Sequence, residues 1–234
     1  MINLIFVLSL YLFSIYSKEI SNNLSNSRRT TEEIDQNQHS HWTLFNRHPD
    51  IFQYTLDATK IYQPNVPVKK ILSFGCSYGM EVKALSELYF TKDFVDGVEY
   101  AKDIVETLVK ENTTERNHFY NKMVELVPQS YDVVFAMSVL LQWPENEFPQ
   151  PYPFHKFNHT LQIINRYVKV NGFIIIYNAK YRFTDLNLYT KGCYTTMENN
   201  KSIPNKFPEL TQWDQSGKPV KDYPYFGFRK IKAC

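Results

Sequence analysis

The sequence predicts an α/β fold, doubly wound around a mostly parallel sheet, and three observations lead there. Short apolar runs at Ile71–Phe74, Phe94–Val98, Tyr131–Met137 and Phe173–Tyr177 alternate with stretches of helical spacing. The runs are largely apolar throughout rather than at every second residue, the pattern of strands covered by helices on both faces. The first run breaks at Gly75-Cys76-Ser77-Tyr78-Gly79, and a helical pattern resumes at Met80. Strand, tight turn and helix in that order aim the free N–H groups of a helix start at one point above the strand, and a glycine without Cβ lets a ligand come close.

In chain order, a helix follows Pro49: Ile51, Phe52, Tyr54, Ala58 and Ile61 share one face, Asp50 lies at its entry and Pro64 lies beyond its end. After the first strand and the glycine turn come a helix at Met80–Leu88, a strand at Phe94–Val98, a helix at Ala101–Lys110 and a short strand at His118–Tyr120. Pro128-Gln129-Ser130 turns into the strand Tyr131–Met137. Leu161, Ile164 and Tyr167 mark a helix over Phe157–Val168, and Asn171-Gly172 reads as a sharp turn into Phe173–Tyr177. The last third shows little periodicity before Tyr223–Ile231, so one or two late strands are expected there, forming an antiparallel edge.

With 43% hydrophobic and 16% aromatic residues in 234, the chain holds enough apolar material for a core, which excludes global disorder. A balance of 26 basic against 24 acidic side chains sets up no field that would gather polyanions, so no nucleic-acid partner is expected. Leu4–Tyr16 is apolar except for Ser9 and Ser14, which reads as a signal peptide over residues 1–17. It falls short of the roughly 20 apolar residues of a span, so cleavage, no stable membrane span afterwards, and a secretory or secreted location are expected. A buried N-terminal helix is the alternative. Residues 18–41 read as a flexible linker and 42–234 as the folded domain. Asn23, Asn112, Asn158 and Asn200 each begin an Asn-X-Ser/Thr triplet. None of Cys76, Cys193 and Cys234 has the spacing of a metal site; Cys193 with Cys234 is the pair to test, since Cys76 sits in the turn.

Two chemistries compete for the turn. Gly75-Cys76-Ser77-Tyr78-Gly79 spells the GxSxG elbow of serine hydrolases, with Ser77 as nucleophile, Asp132 as acid and His118, His155 or His159 as base. Only the segment from Trp42 to Lys70 precedes it within the domain, too little for the strands that flank such an elbow on its N-terminal side. The other reading is a cofactor turn, in which an acid at the end of the second strand, some 20 residues on, accepts hydrogen bonds from a ribose diol. Asp96-Gly97-Val98-Glu99 ends the second strand, and Glu99 fits that role.

Ile71-Leu72-Ser73-Phe74-Gly75-Cys76-Ser77-Tyr78-Gly79-Met80-Glu81 resembles the first motif of class I S-adenosylmethionine-dependent methyltransferases, in the variant GCSxGxE. The resemblance continues through Gly97-Val98-Glu99, the segment Tyr131–Leu140 with its trailing Leu141-Gln142-Trp143, and Tyr167–Ile176. It implies a Rossmann-like, seven-stranded, mostly parallel sheet with an antiparallel edge strand, binding S-adenosylmethionine and methylating an unidentified small-molecule acceptor. Gly75, Cys76, Ser77 and Gly79 would then approach the methionine and ribose, Glu99 would hold the ribose diol, Tyr100 would flank the adenine, and Ser138 would face the methyl-donor centre. The family has Asp or Glu where Ser73 stands, a residue that helps place the cofactor's amino group, so the resemblance implies either weaker cofactor binding through Ser73 or compensation by Glu81 from the helix start. His155 and His159 are the candidate bases, and Trp143, Tyr152, Phe154 and Phe157 the candidate pocket aromatics. A methyltransferase-like protein that binds without turnover is the alternative.

Overall fold

In the computed structural model, which describes residues 41–142, 151–197, 212–220, 223 and 225–234, the apolar runs become strands where the sequence places them. The expected signal peptide, the linker up to residue 40, Trp143, Asn23 and Asn200 lie outside the described residues. The strands are β1 (Lys70–Phe74), β2 (Phe94–Val98), β3 (Asn117–Tyr120), β4 (Tyr131–Met137), β5 (Val168–Tyr177), β6 (Tyr194–Thr196), β7 (Gln212–Trp213), β8 (Pro219–Val220) and β9 (Gly227–Lys230). Seven form one sheet in the order β3-β2-β1-β4-β5-β9-β6, and β7 and β8 form a separate hairpin. The first five run parallel to their neighbours. β9 is antiparallel to both β5 and β6 and lies one place in from the edge.

Helices α1 (Pro49–Tyr62), α2 (Met80–Ala84), α3 (Lys102–Asn112), α4 (Phe154–Tyr167) and α5 (Asn187–Thr190) complete the described elements, with short turns of other helical types. Ile51 and Phe52 of α1, Val82 of α2, and Ile104 and Leu108 of α3 share one core with Ile71, Val95, Phe119, Val133, Phe135, Phe173 and Ile175. Strand alternation sends Leu72, Val134 and Ile174, all fully buried, to the other face. There α4 is tied down through Lys230 of β9, whose ammonium donates to Asn165 O (2.8 Å) and Val168 O (2.9 Å) at the end of the helix. The cation caps carbonyls that the helix leaves unmatched.

Three elements differ from expectation. The helix begun at Met80 widens into a π-turn at Leu85–Tyr89, and the extra residue lets Leu85 and Phe90, five apart, both reach the core. α4 starts at Phe154 rather than Phe157, because Phe154 packs on Phe157 and Tyr181. Asn171-Gly172 is no turn between elements but part of a bulge within β5: Lys169–Gly172 stand opposite the single Asp132 of β4, with Asn171 at φ 67°.

The crossover from β3 to β4 contains only a 3-10 turn, Met123–Glu125, where a parallel connection usually carries a helix. Beneath it, Asp96 is fully buried and bound by the Tyr131 hydroxyl (2.7 Å), Lys70 Nζ (3.1 Å) and His118 Nδ1 (3.2 Å). Asp132, at the start of β4, takes Lys169 Nζ at 2.9 Å and the Lys70 N–H at 2.8 Å. Buried carboxylates persist when paired and hydrogen-bonded in this way.

Candidate functional site at the carboxyl ends of the strands

The sheet order reverses between β1, from which the chain winds outward to β2 and β3, and β4, from which it winds to β5. Ligands of open α/β sheets bind in the crevice outside the carboxyl ends of strands at such a switch point. Backbone strain concentrates there. Of the ten left-handed residues among those described, five lie just past these strand ends: Gly75 (φ 73°), Ser77 (49°) and Gly79 (75°) after β1, Ser138 (59°) after β4 and Asn178 (56°) after β5. A non-glycine residue held in that region costs of order 1–3 kcal/mol, and such residues cluster at functional sites.

The glycines of the turn are sterically required. A Cβ on Gly75 would lie 2.5 Å from Val139 Cγ1, and one on Gly79 would lie 2.8 Å from Leu108 Cδ2. Cys76, between them, is buried, and burial pushes its thiol up, away from reactivity. Its Sγ would lie 2.7 Å from a Cβ on Gly97, so the turn also depends on a bare backbone in β2.

Glu99 stands across from the turn. One carboxylate oxygen accepts the Ser77 N–H (2.9 Å) and the other the Ala101 N–H (2.9 Å). A carboxylate has about four lone-pair sites, so each oxygen keeps capacity for a further donor. Asn121, at the end of β3, braces this corner by donating to Glu99 O (3.0 Å) and Tyr100 O (3.2 Å). Tyr100 packs edge-on to Phe74 at 6.1 Å between centroids. Asn178 Nδ2 donates to Ser138 Oγ (3.0 Å), while Asn178 Oδ1 is buried without a hydrogen-bond partner among the described residues.

On the α1 side, Ser73 donates to Glu81 Oε1 (2.8 Å). Glu81 therefore brings its carboxylate from α2 to the side of β1 at Ser73. Burial pushes the Glu81 carboxyl up to about 7, against the Ser73 hydrogen bond and the Arg47 charge. Partly buried Arg47 stacks on Trp42 with its guanidinium carbon 4.5 Å from the ring centroid. Among the described residues, Arg47 and Glu81 feel one another's charge without a direct ion pair. Asn46, at φ 52°, holds this segment by accepting the Tyr89 hydroxyl at 2.7 Å. His48, buried, lies 4.7 Å from the Tyr177 ring at the end of β5.

The structure thus brings Ser73, Gly75, Cys76, Ser77, Gly79, Glu99, Tyr100 and Ser138 to the carboxyl ends of β1, β2 and β4. His155 and His159 are both exposed, one turn apart on the outer face of α4 near its start. Tyr152 and Phe157 are buried and pack with Phe154 and Tyr181 as a cluster of their own. The hydrolase triad is not assembled. The Ser77 hydroxyl donates to His41 O (2.7 Å), His118 is bound to Asp96, and Asp132 lies at the opposite ends of the strands with Lys169. Sequence reasoning passed over Arg47, Asn46, His48, Asn121 and Asn178. Asn121 alone left a signal, a polar residue closing β3 as Glu99 closes β2.

Among the described residues no group of three or more His, Cys, Asp or Glu could hold a metal ion, and no helix is long and apolar enough to cross a membrane. No family model matches the chain, and no curated protein matches it. Solved structures do. SAM-bound CalS10, an amino pentose methyltransferase from Micromonospora echinaspora involved in calicheamicin biosynthesis, is 14% identical at a TM-score of 0.40, over 56% of this chain and 50% of that one. The plantazolicin methyltransferase BpumL, in complex with a pentazolic desmethylPZN analog and SAH, is 16% identical at 0.40, over 68% and 51%. The [4+2]-cyclase SpnF is 16% identical at 0.36, over 52% and 43%. The chain spans about half the length of these structures.

Proposed function

We propose that the chain is an S-adenosylmethionine-dependent methyltransferase acting on a small molecule. The observation that carries the reading is the crowding of five left-handed residues around the switch point with the Glu99 carboxylate set across from them. The residues there suit the parts of the cofactor. Glu99 has lone pairs left for a ribose diol. The Glu81 carboxylate and the Arg47 guanidinium present opposite charges without neutralising each other, which suits the ammonium and carboxylate carried on one carbon of an amino acid. Tyr100 offers a ring face for the adenine.

When bound, the cofactor supplies an electrophilic methyl on a sulfonium, open to in-line displacement by an acceptor's lone pair. The chain's own work is then mostly positioning. The turn would hold the nucleoside, Glu81 and Arg47 would hold the amino-acid end, and Ser138, anchored by Asn178 and by its N–H to Tyr177 O (2.8 Å), would lie by the methyl-donor centre. Ser77 contributes backbone, not a nucleophile. The proposal extends to location: a disulfide joins Cys193 to Cys234, with Cα atoms 6.1 Å apart, and such bonds persist in oxidising compartments, in keeping with the leader-like residues 1–17.

Titration calorimetry of the folded chain with S-adenosylmethionine tests the reading, and saturable heat is expected; none would refute it. Formation of S-adenosylhomocysteine with candidate acceptors separates turnover from binding alone. Fluorophosphonate labelling that disappears in Ser77→Ala would restore the hydrolase.

A further inference from the structure

Two of the four Asn-X-Ser/Thr triplets fall among the described residues, and the fold sets them at opposite ends of the sheet. Helix α3 returns from the carboxyl end of β2 to the amino end of β3, so Asn112-Thr113-Thr114, at its close, lies far from the Gly75–Gly79 turn. All three residues are exposed. Asn112 is the last helical residue and Thr113 steps out in extended geometry (φ −68°, ψ 133°). The Thr114 hydroxyl then accepts the N–H groups of Arg116 (3.2 Å) and Asn117 (3.0 Å), holding the turn into β3. Asn158-His159-Thr160 is different: it is helical, near the start of α4, and Thr160 is 3% exposed with its hydroxyl engaged by Tyr152.

We infer that Asn112 is an acceptor for an N-linked glycan. Its triplet is presented on a turn with the asparagine in solvent, the form in which a transferring enzyme can reach it. The disulfide between Cys193 and Cys234 points independently to an oxidising compartment. The donor is a lipid-diphosphate-linked oligosaccharide. The Asn112 amide nitrogen forms a bond to the anomeric carbon, the bond from that carbon to the diphosphate oxygen breaks, the lipid diphosphate leaves, and the amide proton passes to a base of the transferring enzyme. The position has a physical use. Among the described residues β3 pairs only with β2 and stands at the edge of the sheet, and a glycan just upstream shields that edge from pairing with another chain. The carboxyl ends of the strands stay clear. This inference does not depend on the methyltransferase reading.

The test expresses the full chain in a eukaryotic secretory host and removes N-glycans enzymatically in heavy-oxygen water, so that each glycosylated asparagine becomes a labelled aspartate in peptide mass spectra. The label is expected at Asn112 in most copies. It is lost in Asn112→Gln together with one step of gel mobility, and kept in Thr114→Ser, which retains the triplet and the hydroxyl. Unlabelled Asn112 in chains whose Cys193 and Cys234 are joined would overturn the inference. So would occupancy at Asn158 equal to that at Asn112, or a chain found in the cytosol with both thiols free.

Discussion

The two ends of the parallel strands both bury carboxylates, and they treat them differently. Toward the amino ends, Asp96 is met by Lys70, His118 and Tyr131, and Asp132 by Lys169: each carboxylate has a cation in contact. At the carboxyl ends, Glu99 is met by two backbone N–H groups and Glu81 by one hydroxyl, with the Arg47 charge acting on Glu81 without a direct ion pair among the described residues. The backbone differs in the same sense, since half of the left-handed residues among those described sit at the second end. Charge met by a contacting cation is what a fold needs from a polar core. Charge left partly open on strained backbone is what a ligand would complete.

Four perturbations sharpen or break that contrast, from the largest expected effect downward. Asp96→Ala strands Lys70, His118 and the buried Tyr131 hydroxyl, and is expected to lower stability by about 3–5 kcal/mol in denaturant melts, with cofactor affinity per folded molecule unchanged. A loss of affinity with stability intact would reverse the assignment of the two ends. Gly75→Ala places a Cβ against Val139 in a left-handed residue and is expected to cost about 2–3 kcal/mol and cofactor binding. Val139→Ala in the same chain relieves the clash but not the backbone, so partial recovery is expected.

Glu99→Ala is expected to weaken S-adenosylmethionine by about 1–3 kcal/mol in calorimetry, through the lost charge-assisted hydrogen bonds. Unchanged affinity would remove Glu99 from the ribose. The smallest effect is on pH. Burial holds the Glu81 carboxyl at about 7 in the folded chain against an ordinary 4.5, so its contribution to stability is fully present below 4.5 and is lost as pH rises through 7. Binding of an ammonium runs the other way, because it needs the carboxylate. Affinity is expected to fall about tenfold from pH 8 to pH 6, and Glu81→Gln to flatten this limb. An equally steep limb in that variant would place the titration elsewhere.

Much of this contrast was legible in the sequence because β1, β2 and β4 are continuous apolar runs whose ends are marked by Gly75, Glu99 and Ser138. The order of strands, turn and acid is local information. The late strands were harder: β6 and β9 have three and four residues, and they are strands because β9 fits between β5 and β6, a long-range pairing that no short window encodes. Arg47 and His48 were invisible for the same reason, since only the packing of α1 sets them beside Glu81 and Tyr177. The Asn171-Gly172 pair misled because its left-handed geometry serves a bulge as well as a turn. For His155 and His159, placement along the chain says which end of α4 they occupy but not that both stand exposed on its outer face.

Hydrogen–deuterium exchange with and without S-adenosylmethionine tests the contrast most directly. The predicted result is slower exchange at Gly75–Gly79, Glu99–Ala101 and Ser138–Val139, with Lys70 and His118 at the other end unchanged. Protection confined to the amino ends of the strands, or none on saturation, would contradict the assignment of the carboxyl edge as the binding site.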